Sequence, residues 1–357
     1  MSLTYREIKQ QYAALRRTYE YMLSERERIE AFVKELGPAS LTFIGCGSSY
    51  CLCESAALSV RLRAGMTAQA FAGGDMLLNG ERYRSALTGT LLVAPSRSGS
   101  TTEIVEAVRQ LRCAGHVPLL AISCVAGSPL SAEADLALEL PWAFDASVCQ
   151  TRTVINLYAA NLLIAAFLGG DEALVASIDA AIGDGEAFMA RTEPRIRQAA
   201  GFDWTQTVVL ADGELKGLAS EGAIALTEIA AVQAQSYHLL DVRHGPMVVV
   251  GPDTLVIAAI SGDGGGARHG AEGRANHRHN LLRDLKRRGA SVIVYADEAD
   301  AEAAALADYA AFSSRPLDPA AQGIPFLFLP QIAALSRAER KGIDPDSPDG
   351  LVAWVEL

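Results

Sequence analysis

The sequence feature that most constrains the fold is the stretch of residues 90–112, TLLVAPSRSGSTTEIVEAVRQLR. Its short apolar run, residues 91–94, has the length and composition of a buried strand. A loop rich in serine, threonine and glycine follows, and apolar residues at helical spacing come after it. Such a strand-loop-helix unit predicts an anion site, because the first amides of a helix lack internal partners and the helix dipole favours negative charge there.

The same residues also allow a simpler interpretation. Ser100 and Glu103 have the spacing of a capping box, which forms at helix starts without any ligand. A cap needs one hydroxyl, however, and the loop also offers Ser96, Ser98 and Thr101. We therefore expect a phosphate site, although the loop lacks the Gly-Lys-Ser ending of a Walker motif.

Length and composition restrict the class of protein. The 357 residues are too many for one ordinary core, so two domains are expected. A net charge of -11 argues against nucleic-acid partners and against a membrane-surface role. The polar first residues and the lack of a bilayer-spanning apolar run predict a cytoplasmic protein. The 6 cysteines lie in or beside apolar runs without zinc spacing, which predicts buried, reduced thiols.

Strand and helix patterns alternate along the chain, and the alternation occurs twice. In the first half, apolar strands are predicted over residues 41–44, 91–94, 117–123 and 137–140. The second half has strands over 207–211, 254–260 and 291–296, and a long helix over 215–237. Strands that are apolar on both faces and alternate with helices predict an α/β fold of two doubly wound, flavodoxin-like parallel sheets in tandem.

The predicted organisation has four parts. A helix over residues 4–36 forms an N-terminal arm, residues 1–37. The first domain covers 38–183 and holds the phosphate loop, the second covers 184–338, and residues 339–357 form a C-terminal tail. The Gly-rich loop at 261–266 corresponds to the phosphate loop in the second domain but has lost nearly all its hydroxyls. We therefore expect phosphate binding in the first domain only.

A second small-residue loop, residues 45–50 (GCGSSY), follows the first strand. Gly45 and Gly47 suit a tight turn from strand to helix, and Ser48 and Ser49 could either cap the helix or contact a ligand. A third glycine is absent from the position that dinucleotide-binding loops require, which argues against a nicotinamide or flavin cofactor.

Two residues of the second half have the chemistry of proton transfer. Glu228 lies in a largely apolar helical segment, where partial burial would raise the pKa of a carboxyl, and His244 is followed by Gly245 and Pro246, which fix a turn. A carboxylate and an imidazole can move protons next to a carbonyl group. On the residues alone, a surface glutamate and a structural loop histidine are the favoured interpretation, because single acid and histidine pairs are common.

Three further histidines, His269, His277 and His279, lie close together in sequence. Their spacing could suggest a metal site, but Arg268 and Arg278 lie beside them, and cations next to a metal are costly. We expect a solvated polar segment here and no metal.

Six segments in this order are similar to the tandem sugar isomerase (SIS) domain family: FIGCGSSY, APSRSGSTTE, ISCVAGSPL, DASVCQTR, SEGAIALTEIAAVQAQSYHLLDVRHGP and KGIDPDSPDGL. The chain resembles the isomerase half of glucosamine-6-phosphate synthase, the aminosugar-phosphate deaminase/isomerases and the fructosamine-6-phosphate deglycases. The resemblance implies that Glu228 is the enolising base and that His244 opens the sugar ring in the active site of the other subunit of a homodimer. It implies no cofactor. Phosphate binding would fall on Ser49, Ser96, Arg97, Ser98 and Thr101, and other substrate contacts on Gly47, Ser48, Val125 and Ser128.

The departures from the synthase pattern narrow the expected reaction. Ala225 and Ala353 stand where the synthase has lysines, and Arg97 stands where it has glutamine. Glutaminase activity is not expected, and a Schiff base on the enzyme is disfavoured. We expect an enzyme that enolises a 6-phosphorylated amino or amine-linked hexose, as an isomerase/deaminase or a deglycase. The alternative is a non-catalytic sugar-phosphate-binding or regulatory SIS protein.

Overall fold

The computed structural model describes residues 2–115, 117–260, 271–296 and 300–354, and over these ranges the chain divides into two compact units. The first unit comprises Gln10–Ala176 and Gly350–Leu357, and the second comprises Met1–Lys9 and Ser177–Asp349. Each unit contains a five-stranded parallel sheet with flanking helices. The predicted fold of two doubly wound parallel sheets is confirmed, whereas the domain limits 38–183 and 184–338 stay a prediction.

The first unit alternates strands and helices. Helix α1 (Leu3–Leu36) agrees with the predicted arm helix and contributes most of its length to this unit. The sheet has the order β2-β1-β3-β4-β5. In chain order the elements are β1 (Ser40–Gly45), α2 (Ser48–Ser59), β2 (Thr67–Ala72), α3 (Gly73–Asn79), β3 (Thr90–Ser96), α4 (Thr102–Ala114), β4 (Leu119–Ser123), α5 (Pro129–Glu133), β5 (Leu136–Glu139) and α6 (Arg152–Gly169).

The core of the first unit forms around its central strands. β1, β3 and β4 are buried along their whole length, as their apolar composition predicts. Among the described helices, α6 alone is long and apolar enough to cross a membrane, but 83% of it is buried inside the structure. It packs against α2, as a central helix of a folded core does.

The second unit repeats this arrangement. Its sheet has the order β10-β9-β8-β6-β7, which is the order of the first sheet when each unit's strands are numbered from its own first strand. This agrees with the predicted duplication. In chain order the elements are α7 (Glu172–Ala199), β6 (Gln206–Ala211), α8 (Lys216–Ala230), β7 (Gln233–His238), β8 (Thr254–Ala259), α9 (Ala271–Arg287), β9 (Ser291–Ala296), α10 (Ala301–Leu306), β10 (Tyr309–Phe312), α11 (Gly323–Phe326) and α12 (Phe328–Lys341).

The predicted long helix over residues 215–237 is wrong. The helix ends at Ala230, because Ala231 adopts a left-handed conformation with φ 47°. The chain then forms β7, the edge strand that pairs with β6 from Gln206 to Ala211. Its sequence, QAQSYH, is polar and half exposed, so it lacks the apolar run that marks the buried strands. The edge strands β2 and β10 were not predicted either, and the Gly-rich loop at 261–266 lies outside the described residues.

A carboxylate from far along the chain holds the amino end of α1. Asp346 accepts hydrogen bonds from the backbone N–H groups of Leu3 and Thr4, both at 2.7 Å, and from the Thr4 hydroxyl at 2.8 Å. These amides have no partner inside the helix. Burial acts to raise the pKa of Asp346, but the hydrogen bonds from Thr4 and Leu3 oppose it and bring the pKa below its ordinary value.

We expect Asp346→Ala to lower the free energy of unfolding at pH 7 by about 1 kcal/mol, the usual cost of losing an N-terminal helix cap. Because the folded-state pKa is depressed, this stabilisation is present above the ordinary carboxyl pKa and is lost as the pH falls through the folded-state value. The difference between wild type and variant should therefore shrink in acid. Urea unfolding followed by circular dichroism measures both effects. Asp349→Ala, which removes an exposed carboxylate of the same unit, is the control and should behave as wild type.

Candidate functional site

The carboxyl ends of β1 and β3 lie side by side where the first sheet reverses its strand order. β1 pairs with β2 on one side and with β3 on the other. Open α/β sheets bind ligands in the crevice at such a switch point. The loop after β1 carries Ser48 and Ser49, and the end of β3 and its loop carry Ser96, Ser98 and Thr101. The structure thus brings the hydroxyls of both predicted loops to one edge of one sheet.

The loop after β3 does not form the capping box that was the simpler interpretation. The N-cap of α4 is Thr101, whose side chain makes no capping hydrogen bond. The Ser100 hydroxyl instead donates to the backbone carbonyl of Ser98 at 3.3 Å. Ser98 Oγ accepts from the Ser100 amide at 3.1 Å, and Ser96 Oγ accepts from the Gly99 amide at 2.9 Å. These hydroxyls shape the loop, and the Thr101 hydroxyl is left free of a capping role.

The loops after β3 and β4 are packed tightly against each other. Gly99 has φ 60°, and a Cβ atom there would lie 2.1 Å from Ser128 Oγ and 2.6 Å from Ser123 Oγ. Ser128 caps α5 by accepting from the Ser131 amide at 3.2 Å and donates to Ser123 Oγ at 3.2 Å. The Val125 amide donates to the same Ser123 oxygen at 3.1 Å, and the Val125 side chain is exposed. A glycine is therefore required at position 99.

The loop after β1 is equally close-packed. Gly47 adopts φ 51° and is the N-cap of α2, where it offers no side chain to the helix. Ser48 and Ser49 occupy the first turn of α2 and are buried. A Cβ atom at Gly45 would lie 2.7 Å from the backbone of Ser49, so only glycine allows this turn.

Cys46, Cys53 and Cys124 do not supply a nucleophile to this edge. Burial, with the nearby Glu103 carboxylate as the next cause, raises the pKa of Cys46 to about 11. Burial also raises the pKa of Cys53 and Cys124. Thiols with such pKa values stay protonated at neutral pH and react poorly. Cys113 is exposed, so the expectation that every cysteine is buried was wrong at this position.

The Arg97 side chain, unlike those of Ser96 and Ser98, is hydrogen-bonded to segments outside the serine loop. Only 4% of its surface is exposed, and its Nη1 atom donates to the backbone carbonyls of Ser147 and Val148, both at 2.9 Å. Its Nη2 atom donates to the carbonyl of Ala353. The guanidinium group thus binds backbone carbonyls within the first unit.

Glu228 lies on α8 in the second unit, two residues before the helix ends. Its side chain is half-buried, and Glu221, two turns earlier, is fully buried. Ala225, the position of a lysine in the synthase pattern, is 3% exposed and supplies no amine to this part of the helix.

His244 is exposed and lies between two short 3₁₀ turns that follow β7. Its backbone amide donates to the Asp241 carbonyl at 2.8 Å, and Gly245 after it has φ 126°. Arg243 is held by Asp284 at 2.5 Å. Burial acts to raise the pKa of Asp284, but hydrogen bonds from Arg243 and Arg287 bring it below its ordinary value, so this ion pair persists at neutral pH. The segment presents the imidazole from a fixed backbone.

The second sheet separates Glu228 from His244. α8 packs on the face that bears Val209, since a Cβ atom at Gly222 would lie 3.5 Å from Val209 Cγ1. The segment around His244 packs on the other face, where its buried side chains cluster with Val208. Successive strand residues point to opposite faces. The elements that carry the two groups therefore pack on opposite faces of this sheet.

The histidines expected in a solvated segment are not all solvated. His279 is 6% exposed and lies between two carboxylates, with Nε2 2.7 Å from Asp300 and Nδ1 2.9 Å from Glu302. His277 is exposed, and His269 lies outside the described residues. Within the described part of the chain, no group of three or more potential metal ligands lies close enough to hold an ion.

Comparison with known proteins matches one segment of this chain to a family model. The SIS domain model matches residues 38–166, the segment that contains both serine-bearing loops. The chain is 28% identical over 314 residues to glutamine–fructose-6-phosphate aminotransferase (isomerizing) of Pectobacterium atrosepticum, covering 82% of this chain and 48% of that protein. The enzyme of the same name from Yersinia pseudotuberculosis is 30% identical over 273 residues, covering 71% and 43%. The chain thus spans about half the length of the curated relatives it matches.

Solved structures agree in fold over nearly the whole chain. Tagatose-6-phosphate ketose/aldose isomerase from Escherichia coli superposes with a TM-score of 0.84 at 23% identity, covering 98% of this chain and 96% of that one. Glucosamine-6-phosphate deaminase from Thermotoga maritima gives a TM-score of 0.80 at 22% identity and covers 100% of both chains. At these identities the likeness establishes the fold. The sequence match over residues 38–166 shows that this part of the chain is a SIS domain.

Proposed function

We propose that the protein is an enzyme that enolises a 6-phosphorylated amino or amine-linked hexose, as an isomerase/deaminase or as a deglycase. The observation that carries this proposal is the set of hydroxyls of Ser49, Ser96, Ser98 and Thr101 at the switch point of a SIS domain sheet. The names of the similar proteins, all acting on hexose 6-phosphates or hexosamine 6-phosphates, support the substrate class.

Phosphate would be held at this edge by neutral donors. The chain has a net charge of -11, so a general positive field does not attract the anion. Hydroxyls and helix-start amides bind phosphate through short-range hydrogen bonds and the helix dipole. Gly99 lets the serine loop pack on Ser128, Gly47 leaves the start of α2 without a side chain, and Ser48 and Val125 belong to the adjacent loops.

The chemistry proposed for Glu228 is proton transfer between C1 and C2 of the open-chain sugar. In an aldose–ketose isomerisation, the carboxylate takes a proton from one carbon and returns it to the other through an enediol. In a ketoamine, removal of the C1 proton gives an enolamine, and protonation at C2 then gives an imine at C1. Water hydrolyses this imine to the free amine and the aldose 6-phosphate. His244 would move the proton that opens the sugar ring.

We also propose a homodimer in which each site takes His244 from the partner chain. Because Glu228 and His244 lie on elements that pack on opposite faces of the second sheet, a partner chain is the simpler source of the second group. An exposed histidine on a fixed turn suits contact with another molecule. A two-fold dimer supplies each group to the site of the other chain.

Replacement of Ser98 and Thr101 together by alanine should weaken glucose 6-phosphate binding by more than ~1 kcal/mol, since each change removes a hydrogen bond to a charged group. Isothermal titration calorimetry measures the loss. Ser24→Ala, an exposed serine of the same unit, is the control and should bind as wild type. Equal affinity in the double variant and wild type would remove the phosphate site from this loop.

Glu228→Gln keeps the shape of the side chain and removes the base. We expect turnover to fall by ~10²-fold or more while sugar-phosphate binding persists, as for the loss of a general base. In D₂O, the wild-type product should carry solvent deuterium at C1 or C2, detected by mass spectrometry. The exposed Glu186→Gln is the control. Full activity in Glu228→Gln would exclude this mechanism, and failure of the wild type to turn over any aminohexose or fructosamine 6-phosphate would favour the non-catalytic binding protein.

A mixture of two inactive variants tests the shared site. When Glu228→Gln and His244→Asn chains are mixed in equal amounts and allowed to exchange, half of the dimers are mixed, and each mixed dimer has one intact site. Activity should therefore recover to about a quarter of the wild-type value if the two groups come from different chains. Each variant alone should stay inactive. If subunit exchange is demonstrated by mass spectrometry and activity does not recover, the two groups do not act across the dimer.

A further inference from the structure

The side chain of Arg97 connects three segments of the first unit that are far apart in sequence. Its backbone belongs to the serine loop, between Ser96 and Ser98. Its Nη1 atom donates to the carbonyls of residues 147 and 148, and its Nη2 atom to the carbonyl of Ala353 in the C-terminal tail. The last contact spans 256 positions of the chain.

Because Arg97 is buried, the loss of one of its hydrogen bonds raises the free energy of the conformation that keeps the others. At 4% exposure, the guanidinium group has lost most of its water, and a buried charge is tolerated only when its N–H groups are hydrogen-bonded. Displacement of the tail would remove the Ala353 acceptor and leave a buried donor without that partner. The conformation of the serine loop at Arg97 and the position of the tail therefore stabilise each other.

The segment that carries the Ser147 and Val148 carbonyls is itself held in place by hydrogen bonds. Asp145 accepts hydrogen bonds from the amides of Thr151 at 2.7 Å and Thr153 at 2.8 Å, which ties the start of α6 to this segment. Ser147 Oγ donates to the Cys149 carbonyl at 2.9 Å. The segment at 147–148 thus gives Arg97 a rigid base from which to reach the tail.

We propose that Arg97 is a positioning residue that latches the C-terminal tail, residues 350–354, to the serine loop, and that it does not bind the phosphate itself. The inference deepens the proposed function, since the serine loop is the proposed phosphate site. We expect inorganic phosphate, which contacts the loop only, to be less sensitive to the latch than a sugar phosphate, which extends beyond the loop. Glutamine, with a shorter side chain and fewer donors, cannot span the two sets of carbonyls.

Fluorine NMR of the full chain labelled with 5-fluorotryptophan tests the latch without any need for turnover. The chain has 3 tryptophans, and Trp354 lies in the tail next to the Arg97 contact, while Trp142 and Trp204 lie elsewhere. Single Trp→Phe variants assign the signals. In Arg97→Gln, the Trp354 signal should narrow and move toward its position in the unfolded protein, and the other two should stay in place, which also shows that the fold is intact.

Two further variants bracket this result. Arg97→Lys keeps the charge but offers one compact ammonium group, so the Trp354 signal should move part of the way. Arg82→Gln removes the same charge from an exposed position of the same unit and should leave all three signals unchanged. An unmoved Trp354 signal in Arg97→Gln would overturn the latch.

Calorimetry distinguishes between two roles of Arg97, holding the tail and binding the phosphate. With Arg97→Gln, we expect the inorganic phosphate affinity to stay within about twofold of wild type and the glucose 6-phosphate affinity to fall by about fivefold, the loss of roughly one hydrogen-bonded contact. If both affinities fall as they do in the Ser98 and Thr101 double variant, Arg97 is a phosphate ligand and the latch is wrong. A wild type that binds neither anion would refute the proposed phosphate site, and the fluorine spectra would still decide whether Arg97 holds the tail.

Discussion

The close approach at Gly99 is the constraint on which the candidate site depends. The left-handed backbone there lets the serine loop pack directly on Ser128 and Ser123, so the loops that follow β3 and β4 form one wall. Any side chain at position 99 would push the loop away from these hydroxyls, and the amides of the loop would lose their orientation. Rigid placement matters because hydroxyls and amides attract an anion only at hydrogen-bond distance. A chain with a net charge of -11 has no overall positive potential that would attract the anion if the loop were misplaced.

The sequence predicts the central strands well and misses β2, β7 and β10, three of the four edge strands. β1, β3, β4, β6, β8 and β9 are apolar runs between small-residue loops, and burial on both faces is what produces such runs. β7 reads QAQSYH, in which alanine and glutamine also favour helix, and its strand conformation comes from pairing with β6. The helix before it ends through the backbone conformation of Ala231, and alanine gives no signal for a left-handed residue. Tertiary pairing decides the structure wherever local preference is weak.

The candidate site shows the same division between local and distant information. The serines of the two loops could be located from sequence because spacing relative to a strand end fixes which edge of the sheet they reach. The direction of the Arg97 side chain could not be predicted from sequence, because its partners at residues 147, 148 and 353 are distant in sequence. His279 was misjudged for a related reason: the carboxylates that enclose it, Asp300 and Glu302, belong to a later helix start. A polar residue's environment depends on contacts that its neighbours in sequence do not reveal.

The duplicated architecture explains why this chain distributes its chemical groups so widely. Both units have one strand order, yet the serine-rich loops occur at the carboxyl edge of the first sheet, and the corresponding second loop, SGDGGG, has almost no hydroxyls. The second unit instead carries Glu228 on one face of its sheet and His244 on the other. The elements that carry the two groups pack on opposite faces of this sheet, so the proposed reaction, which uses both groups, draws on a second copy of the unit. If the proposed chemistry holds, association of chains is part of the catalytic mechanism, and not only a source of stability.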